Sequence, residues 1–472
     1  MSNNAGALSS FSQAPADTEN LNDLVNMRSR HPLLGVGLAL VCFSLAGCGP
    51  TQIQASQLAN KCDTSGVAPE RSAQILSRVY LDGTPSMAGY VASPSSAYLE
   101  ALKQLQQALS TAWPQPQVNY FRFGETVFPM TSVTDPDPRL PGFYQGGQGL
   151  TTATIDTAIA ASAQAEAKSK SQNQLTVIVT DLYQKAATID PILKQLNQKY
   201  LGKDLAVGVV GVRSQFRGAV YDVGAANASF TYQGEHPVYI LVLGKYGDVS
   251  HLVEQLRKNP ALKAVSQATI FTSQPVQPIA TFLPQDYPPD LKPLKQQASR
   301  PETLNNGKVM VKGLLKDDYK FESLKLTAKK PIALDYPLQY QLLPHALAVQ
   351  TASPVTRSYT FDSQAKAFKD ANLQKAVSFG VPNPWPNQPK AQPVEVKAQI
   401  NPENLDPGVH LLVTDIGVSE FKDPPWWQAW SASEDSRDGS KTHNLSSFLT
   451  GLKTITEQRK PAIARLCYLV QK

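Results

Sequence analysis

Charge and basic patches are scarce in this chain of 472 residues. Charged residues make up 17% of the sequence and hydrophobic residues 42%, a balance typical of a globular protein and not of a disordered one. The formal net charge is +6, and no block rich in lysine and arginine stands out. We therefore expect no nucleic-acid partner. The chain also has no internal repeat and no heptad pattern.

No ordinary membrane-spanning segment precedes the folded region. The apolar run at residues 33–45 is too short, because a spanning helix needs about 20 apolar residues. Arg28 and Arg30 precede the run and small residues follow it, a pattern typical of a secretory signal. Residues 1–26 are polar, which is unusual in front of such a signal. We therefore predict that translation begins at Met27.

The end of the apolar run, Leu45-Ala-Gly-Cys48, resembles a bacterial lipoprotein box. The resemblance implies that Cys48 becomes the lipid-modified first residue and anchors the chain to a membrane. A plain signal peptide or a noncleaved anchor is the alternative. Gly49 follows Cys48 in place of the Asp that often retains lipoproteins in the inner membrane. We expect a location in the bacterial cell envelope, with a preference for the outer membrane or the periplasmic face.

Cysteine is also scarce, with four residues in the whole chain. Cys42 lies in the leader and Cys48 would carry the lipid, which leaves Cys62 and Cys467. Two cysteines exclude a cysteine-based zinc site. In an oxidising envelope compartment the pair could form one disulfide between the start of the folded region and its last strand. Two buried free thiols are the alternative.

The length of the chain predicts two or three domains, since it exceeds what one core usually organises. We expect a leader and lipoprotein signal, a tether, an α/β domain, a proline-rich linker and a β-rich domain. Their predicted boundaries are residues 1–48, 49–73, 74–272, 273–302 and 303–472.

Alternating strand and helix signals fill the predicted α/β domain. Continuous apolar runs predict buried strands, and the segments between several of them place apolar residues at helical spacing. Such units indicate a doubly wound, mostly parallel sheet with helices on both faces, in the manner of Rossmann-like folds. The predicted strands are residues 79–81, 118–123, 175–181, 205–212 and 238–243.

Short strand-like runs separated by turn residues predict a β-sandwich-like module in the last third of the chain. A helix marked by Leu445, Phe448, Leu449 and Leu452 and a last strand at residues 464–470 close it.

Three of the five tryptophans, Trp426, Trp427 and Trp430, lie within a span of five residues in this module. If exposed, they could stack on sugar rings or anchor a protein partner. If buried, they would form a hydrophobic plug between the two domains, which is the commoner place for an aromatic cluster.

Polar oxygen-bearing residues follow two of the predicted strands. Asp82, Thr84 and Ser86 come directly after the first, and Asp181 comes at the end of another. The carboxyl ends of parallel strands meet at one edge of a sheet, where such folds bind ligands. Carboxylate and hydroxyl oxygens are hard ligands that suit Mg²⁺ or Mn²⁺. These residues therefore predict a metal site.

The spacing Asp82-x-Thr84-x-Ser86 resembles the first loop of the metal-ion-dependent adhesion site of von Willebrand factor A-type domains, whose pattern is Asp-x-Ser-x-Ser. The likeness covers about residues 74–270. It implies a further ligand from the glycine-rich loop Gly146-Gly-Gln-Gly-Leu-Thr-Thr-Ala-Thr154, either Thr151 or Thr152, and a last one from Asp181. It also implies bound Mg²⁺, with Mn²⁺ or Ca²⁺ as alternatives, and a partner protein that offers a carboxylate.

Two positions depart from the family pattern. Thr84 stands where the family usually has Ser, which keeps the hydroxyl and adds a methyl group. Leu182 stands where the family usually has Gly. A degenerate site, in which Asp82 and Ser86 only cap a loop, is the structural alternative.

Enzyme motifs fit less well. A phosphatase of the haloacid dehalogenase type needs Asp-x-Asp-x-Thr, but Tyr80 lies two positions before Asp82. Ser86 is not in a Gly-x-Ser-x-Gly elbow, and no histidine pair has His-Glu-x-x-His spacing. We therefore expect a non-enzymatic, envelope-anchored lipoprotein that captures a protein partner through a divalent metal. The alternatives are a metal-dependent hydrolase at the same site and a structural envelope component with a degenerate site.

Overall fold

The computed structural model of the chain describes most of the sequence after residue 50. The described residues are 51–62, 70–168, 173–183, 186–224, 228–276, 291–293, 302–304, 309–312, 322–326, 329–338, 340–386 and 394–472. Cys48, Met27 and the rest of the predicted leader therefore lie outside them, as does most of the predicted linker. Residues 49–472 belong to one unit. No helix in these ranges is long and apolar enough to cross a membrane.

A strand and a helix begin the described chain, β1 (Thr51–Gln54) and α1 (Ala55–Cys62). This corrects the prediction of a bare tether at residues 49–73. Ile53 and Leu58 are fully buried in a core cluster that also contains residues of the C-terminal sheet. Two apolar residues in a polar segment are only a weak sequence signal for a folded element. Here they are buried because a face of the C-terminal sheet packs against them.

The α/β part follows. Its elements are β2 (Gln74–Asp82), α2 (Ala97–Thr111), β3 (Gln115–Phe123), β4 (Val127–Pro129), α3 (Ile155–Lys168), β5 (Gln174–Thr180), α4 (Ala186–Lys199), β6 (Ala206–Val223), β7 (Ala228–Gly244), α5 (Tyr246–Leu256), α6 (Pro260–Val265) and β8 (Ser266–Phe271). They form a seven-stranded sheet in the order β4-β3-β2-β5-β7-β6-β8. Residues of α2 and α5 share one core cluster and residues of α3 and α4 another, so helices cover both faces.

The sheet is mixed, which corrects the prediction of a mostly parallel one. Only β2 with β3 and β2 with β5 pair in parallel, and the other four pairings are antiparallel. The reason lies in the connection between β6 and β7. Only Gly224 and the next three residues separate these strands, and so short a connection forces an antiparallel pair.

The β6–β7 pair extends well beyond its neighbours in the sheet. Thr180 at the end of β5 pairs with Tyr239, and Tyr239 pairs with Gly211 of β6. Because β6 runs parallel to β5, its later residues continue past the carboxyl ends of β2 and β5. We call residues 213–223 and 228–237 the hairpin arm. The arm projects over the edge of the sheet that carries Asp82 and Asp181.

The C-terminal part is rich in strands. Its elements are β9 (Leu291–Pro293), β10 (Glu302–Leu304), β11 (Val309–Lys312), β12 (Glu322–Leu326), β13 (Ile332–Leu338), β14 (Val349–Asp362), β15 (Ala367–Ala371), β16 (Val377–Gly380), β17 (Val394–Ile400), β18 (Val409–Phe421), α7 (Trp426–Ala429), β19 (Ser431–Ala432), β20 (Thr442–His443), α8 (Leu445–Gln458) and β21 (Ala462–Gln471). A six-stranded sheet has the order β15-β14-β18-β21-β12-β9, and a three-stranded sheet has the order β13-β17-β16. The rings of Phe379 in β16 and Tyr468 in β21 lie 6.4 Å apart, so the two sheets face each other.

The outer face of the six-stranded sheet is closed by α1. A disulfide joins Cys62 at the end of α1 to Cys467 in β21, with their Cα atoms 5.9 Å apart. Both cysteines are buried beside Leu58 and Leu411. The start of the described chain is therefore fixed to its last strand.

The tryptophan cluster is buried. Trp426, Trp427 and Trp430 are 8%, 1% and 6% exposed. The ring of Trp427 lies 5.8 Å from that of Phe271 in β8, and the guanidinium of Arg213 stacks over Trp430. The cluster thus packs against the seven-stranded sheet as a plug between the two parts. An external partner has little access to these side chains.

Candidate functional site

Asp82 and Asp181 stand at the ends of two neighbouring strands. β2 and β5 pair in parallel up to Leu81 opposite Val179, so their carboxyl ends meet at one place. Asp82 is the last residue of β2, and Asp181 follows the last residue of β5. They are 0% and 4% exposed. The edge predicted from the sequence therefore brings both carboxylates together.

Asp82 holds the two strand-end loops in place. Its Oδ1 accepts hydrogen bonds from the backbone N–H of Thr84 at 3.0 Å and from the Thr84 hydroxyl at 2.6 Å. Its Oδ2 accepts one from the Thr180 hydroxyl at 2.8 Å. Both carboxylate oxygens are thus occupied by protein donors, so Asp82 supplies negative charge behind the site.

The two hydroxyls after Asp82 are placed like neighbouring ligands of an octahedral ion. Thr84 Oγ1 lies 3.1 Å from Ser86 Oγ. Bonds to Mg²⁺ of about 2.0–2.1 Å at right angles put adjacent oxygens about 3 Å apart. Because Thr84 gives its hydroxyl proton to Asp82, the lone pairs of its oxygen remain for a cation. The Thr84 methyl group therefore does not prevent the expected geometry.

Leu182 adopts the backbone conformation that glycine favours. Its φ is +51°, in the left-handed region, where a residue with a Cβ costs about 1–2 kcal/mol. The Leu182 side chain is 1% exposed in the main core cluster, which offsets this cost. The turn it makes lets the Tyr183 N–H donate to Asp181 Oδ1 at 3.1 Å. The departure from the family pattern thus keeps the backbone shape that a glycine would give.

The glycine-rich loop brings both candidate threonines to the site, but their hydroxyl groups differ in hydrogen bonding. The Thr151 hydroxyl donates to Glu125, which also accepts the backbone N–H groups of Thr151 and Thr152 at 3.0 Å each. The Thr152 hydroxyl has no hydrogen bond to any described residue. Glu125 therefore acts as the anchor of this loop, a role that the sequence motif does not indicate.

One cavity of about 230 Å³ collects the predicted residues. Five of the six, all except Asp82, line it, and Asp82 lies behind Thr84. Among the other lining residues are Tyr183 after β5 and a group from the hairpin arm, namely Phe216, Ala219, Val220, Tyr221 and His236.

The arm residues were not predicted from the sequence as part of the site. They reach it because the 3-10 turn at Pro85–Val91 packs closely on the arm. A Cβ added to Gly89 would lie 2.4 Å from the Phe216 ring, so only glycine permits this approach. The Tyr90 hydroxyl also donates to the carbonyl of Pro237. The alternation of aromatic and polar residues in Phe230-Thr-Tyr-Gln233, near the start of β7, was a local sign of a strand with one covered face.

The electrostatics of the cavity favour a cation. Burial, and next the nearby charge of Asp181, raise the pKa of Asp82 to about 7, although hydrogen bonds from Thr84 and Thr180 lower it. Two buried carboxylates so placed repel each other, and a divalent cation relieves that repulsion.

The donor set fits Mg²⁺ or Mn²⁺, because every nearby ligand from the two strand-end loops and the glycine-rich loop is a hard oxygen. No group of three or more His, Cys, Asp and Glu side chains that could hold a metal occurs among the described residues. The site would rely on hydroxyls for that reason.

Family models, curated proteins and solved structures contain no match to this chain. A functional assignment therefore depends on the geometry at the strand ends and on the sequence patterns.

Proposed function

We propose that the protein is an envelope-anchored lipoprotein that binds a divalent cation in the strand-end cavity and uses it to capture a partner protein through a carboxylate. The observation that carries the proposal is the convergence of Thr84, Ser86 and Asp181 with the glycine-rich loop on one small cavity.

Thr84, Ser86 and Thr152 would hold the cation directly through their hydroxyl oxygens. Asp181 would supply a nearby carboxylate, and the buried Asp82 would supply charge through its bond to Thr84. Few carboxylates would then touch the ion. A bound Mg²⁺ would supply uncompensated positive charge to a carboxylate from outside. We assign Thr152 in preference to Thr151 because the Thr152 hydroxyl has no hydrogen bond to a described residue, whereas the Thr151 hydroxyl helps to fix the loop to Glu125.

The resemblance to von Willebrand factor A-type domains supports this function at the level of the loops. The three loops occur in the expected order, each after the expected element. The hairpin arm is an addition to that pattern. We propose a variant of the A-type fold in which the two consecutive strands β6 and β7 pair with each other and cover the site.

The lipid anchor at Cys48 belongs to the same proposal. Metabolic labelling with a radioactive or alkyne-bearing fatty acid tests it, with Cys48→Ser as the unlabelled control. Label retained in that variant would exclude Cys48 as the lipidated residue.

Metal binding is tested by titrating Mn²⁺ into the mature chain and following the electron paramagnetic resonance signal of the free ion. We expect one site in the wild type. Ser86→Ala, Asp181→Asn and Thr152→Ala should each weaken binding at least tenfold. Thr151→Ala should have a smaller effect. Asp190→Asn is a matched control, since Asp190 is exposed on α4. Equal Mn²⁺ affinity of the wild type, Ser86→Ala and Asp181→Asn would contradict the proposed metal site.

Partner capture adds a second test. Asp82→Ala should abolish Mg²⁺-dependent retention of envelope proteins, and so should a chelator. Circular dichroism of the variant would show whether its fold survives. Capture that persists in both conditions excludes a role for the metal.

The hydrolase alternative gains one observation, the presence of His236 in the cavity as a candidate general base. Mn²⁺-dependent turnover of a generic phosphate or carboxylate ester that His236→Phe abolishes would favour it. Absence of turnover in a protein that binds Mn²⁺ favours capture.

A further inference from the structure

The part of the cavity lined by the hairpin arm carries a polar side chain that the metal site does not use. His236 lines the cavity from the hairpin arm and is 2% exposed. Its Nδ1 lies 2.6 Å from the carbonyl oxygen of Gly439. Its other ring nitrogen, Nε2, has no hydrogen-bond partner within the described ranges.

The contact with Gly439 determines which nitrogen carries the proton. A carbonyl oxygen only accepts, so Nδ1 must donate, and in the neutral ring Nε2 is then an acceptor. Burial lowers the pKa of His236, against smaller opposing effects of Gly439 and Asp181, so the neutral form is favoured. His236, which lines the same cavity as the hydroxyls, therefore has a fixed acceptor at Nε2.

The remaining lining restricts what can reach that acceptor. Phe216, Ala219 and Val220 make this part of the cavity apolar around His236. The cavity volume of about 230 Å³ is smaller than the roughly 300–1,000 Å³ of typical small-molecule pockets. Only a small group fits between the hydroxyls and the arm, and it would contact both at once.

We propose that the cavity selects a carboxylate that carries an N–H or O–H donor on a nearby carbon, with the donor bonded to His236. This inference rests on the proposed function, because the carboxylate itself would be attracted by the cation. It goes further by naming the chemistry of the captured group. Two sources share that chemistry, the C-terminus of a peptide, with its last backbone N–H, and a free hydroxy acid.

The test uses the Mn²⁺-loaded mature protein and small carboxylates, with binding followed through Mn²⁺ broadening of their proton resonances. Glycolate should bind about fivefold more tightly than acetate or methoxyacetate, the effect of one net hydrogen bond. Methoxyacetate keeps the oxygen but lacks the proton, so it isolates the donor. Comparison of glycolate with 3-hydroxypropionate measures the preferred spacing between the carboxylate and the donor.

Two further ligands distinguish the sources. N-acetylglycine reproduces a peptide C-terminus, and N-acetyl-N-methylglycine lacks its N–H. Preference for N-acetylglycine over both glycolate and its methylated form indicates a peptide. Preference for glycolate alone indicates a hydroxy acid.

His236→Phe should abolish the difference in affinity between glycolate and methoxyacetate, while its Mn²⁺ affinity stays within twofold of the wild type. His251→Phe is the matched control, because His251 packs on Trp113 away from the cavity. The wild-type comparison remains decisive even if His236→Phe fails to fold. Equal binding of glycolate and methoxyacetate to a protein that binds Mn²⁺ overturns this inference alone. Failure to bind Mn²⁺ overturns both this inference and the proposed function.

Discussion

The two parts of the described chain bury polar side chains in different ways. In the α/β part Asp82, Thr84, Thr180 and Asp181 are buried together, and Thr84 and Asp181 line one cavity. In the β-rich part several buried polar residues are dispersed and pair locally. His410, for example, is bonded through Nδ1 to Thr360 at 3.0 Å and through Nε2 to the Asp406 carbonyl at 2.8 Å. Convergent polar burial indicates a binding site, whereas dispersed and satisfied polar burial indicates support.

Left-handed non-glycine residues occur in both parts, but among those described only Leu182 lies beside the cavity. Leu182 holds a left-handed backbone beside Asp181, and Gly89 permits a contact that no other residue allows. The β-rich part is instead closed by a disulfide and by the tryptophan plug. We therefore infer that the β-rich part supplies stability to a site whose own geometry is costly.

The largest expected effect tests whether the two parts depend on each other. Trp427→Ala should lower the free energy of unfolding by about 3–5 kcal/mol, because it removes a buried indole from the plug. Since Trp427 contacts Phe271 in the seven-stranded sheet, both parts should unfold at a lower denaturant concentration. Denaturation followed by near-ultraviolet and far-ultraviolet circular dichroism measures this. Leu140→Ala, at a residue 58% exposed, is the control. A lowered midpoint in only one signal would show independent parts.

The disulfide should matter chiefly for the β-rich part. Cys62→Ser should cost about 2–4 kcal/mol of stability, because the cross-link restricts the unfolded chain. Differential scanning calorimetry with and without a reductant measures the loss. The Cys62→Ser/Cys467→Ser variant should be insensitive to reductant, and Mn²⁺ affinity should be unchanged in it. A large loss of Mn²⁺ affinity would contradict the division of roles.

Two substitutions of Leu182 should differ in the free energy of unfolding by about 1 kcal/mol. Leu182→Ala and Leu182→Gly both lose the buried side chain, but only glycine relieves the left-handed backbone. We therefore expect Leu182→Gly to be about 1 kcal/mol more stable than Leu182→Ala, the reverse of the usual order. Urea denaturation of the pair measures the difference. Greater stability of the alanine variant would mean that position 182 changes conformation when the side chain is removed.

The smallest effect concerns pH and the β-rich part. Burial lowers the pKa of His410 below its usual value of 6.5, so the unfolded chain binds a proton more readily than the folded one. The resulting stability is present above pH 6.5 and is lost as the pH falls from there towards the lower, folded pKa. His410→Gln should therefore lose less stability than the wild type between pH 7 and pH 5. Parallel curves of unfolding midpoint against pH would contradict this.

The sequence predicted the polar edge because its signals are local. An apolar run followed by Asp, at Asp82 and again at Asp181, marks a strand end whatever the rest of the sheet does. The direction of β6 and β7 was not predictable in the same way. A strand buried on both faces has the same continuous apolar pattern in a parallel and an antiparallel pair. Pairing, and with it the hairpin arm, depends on partners distant in sequence.

The same limit explains the site residues that sequence patterns missed. His236 and Phe216 enter the cavity only because the arm folds over the strand ends. Glu125 anchors the glycine-rich loop from a different turn. None of these side chains belongs to a motif at fixed spacing, so the structure was needed to find them.

The bond between Cys62 and Cys467 has a mechanical consequence. A pull applied to the N-terminal end of the described chain passes through α1 and the disulfide into β21. β21 lies between β18 and β12, so the load is shared by hydrogen bonds on both of its sides. β2 and the Asp82 loop, which come later in the chain than Cys62, are bypassed. A pull between the N-terminal end and the C-terminal sheet would therefore leave the strand-end loops unloaded.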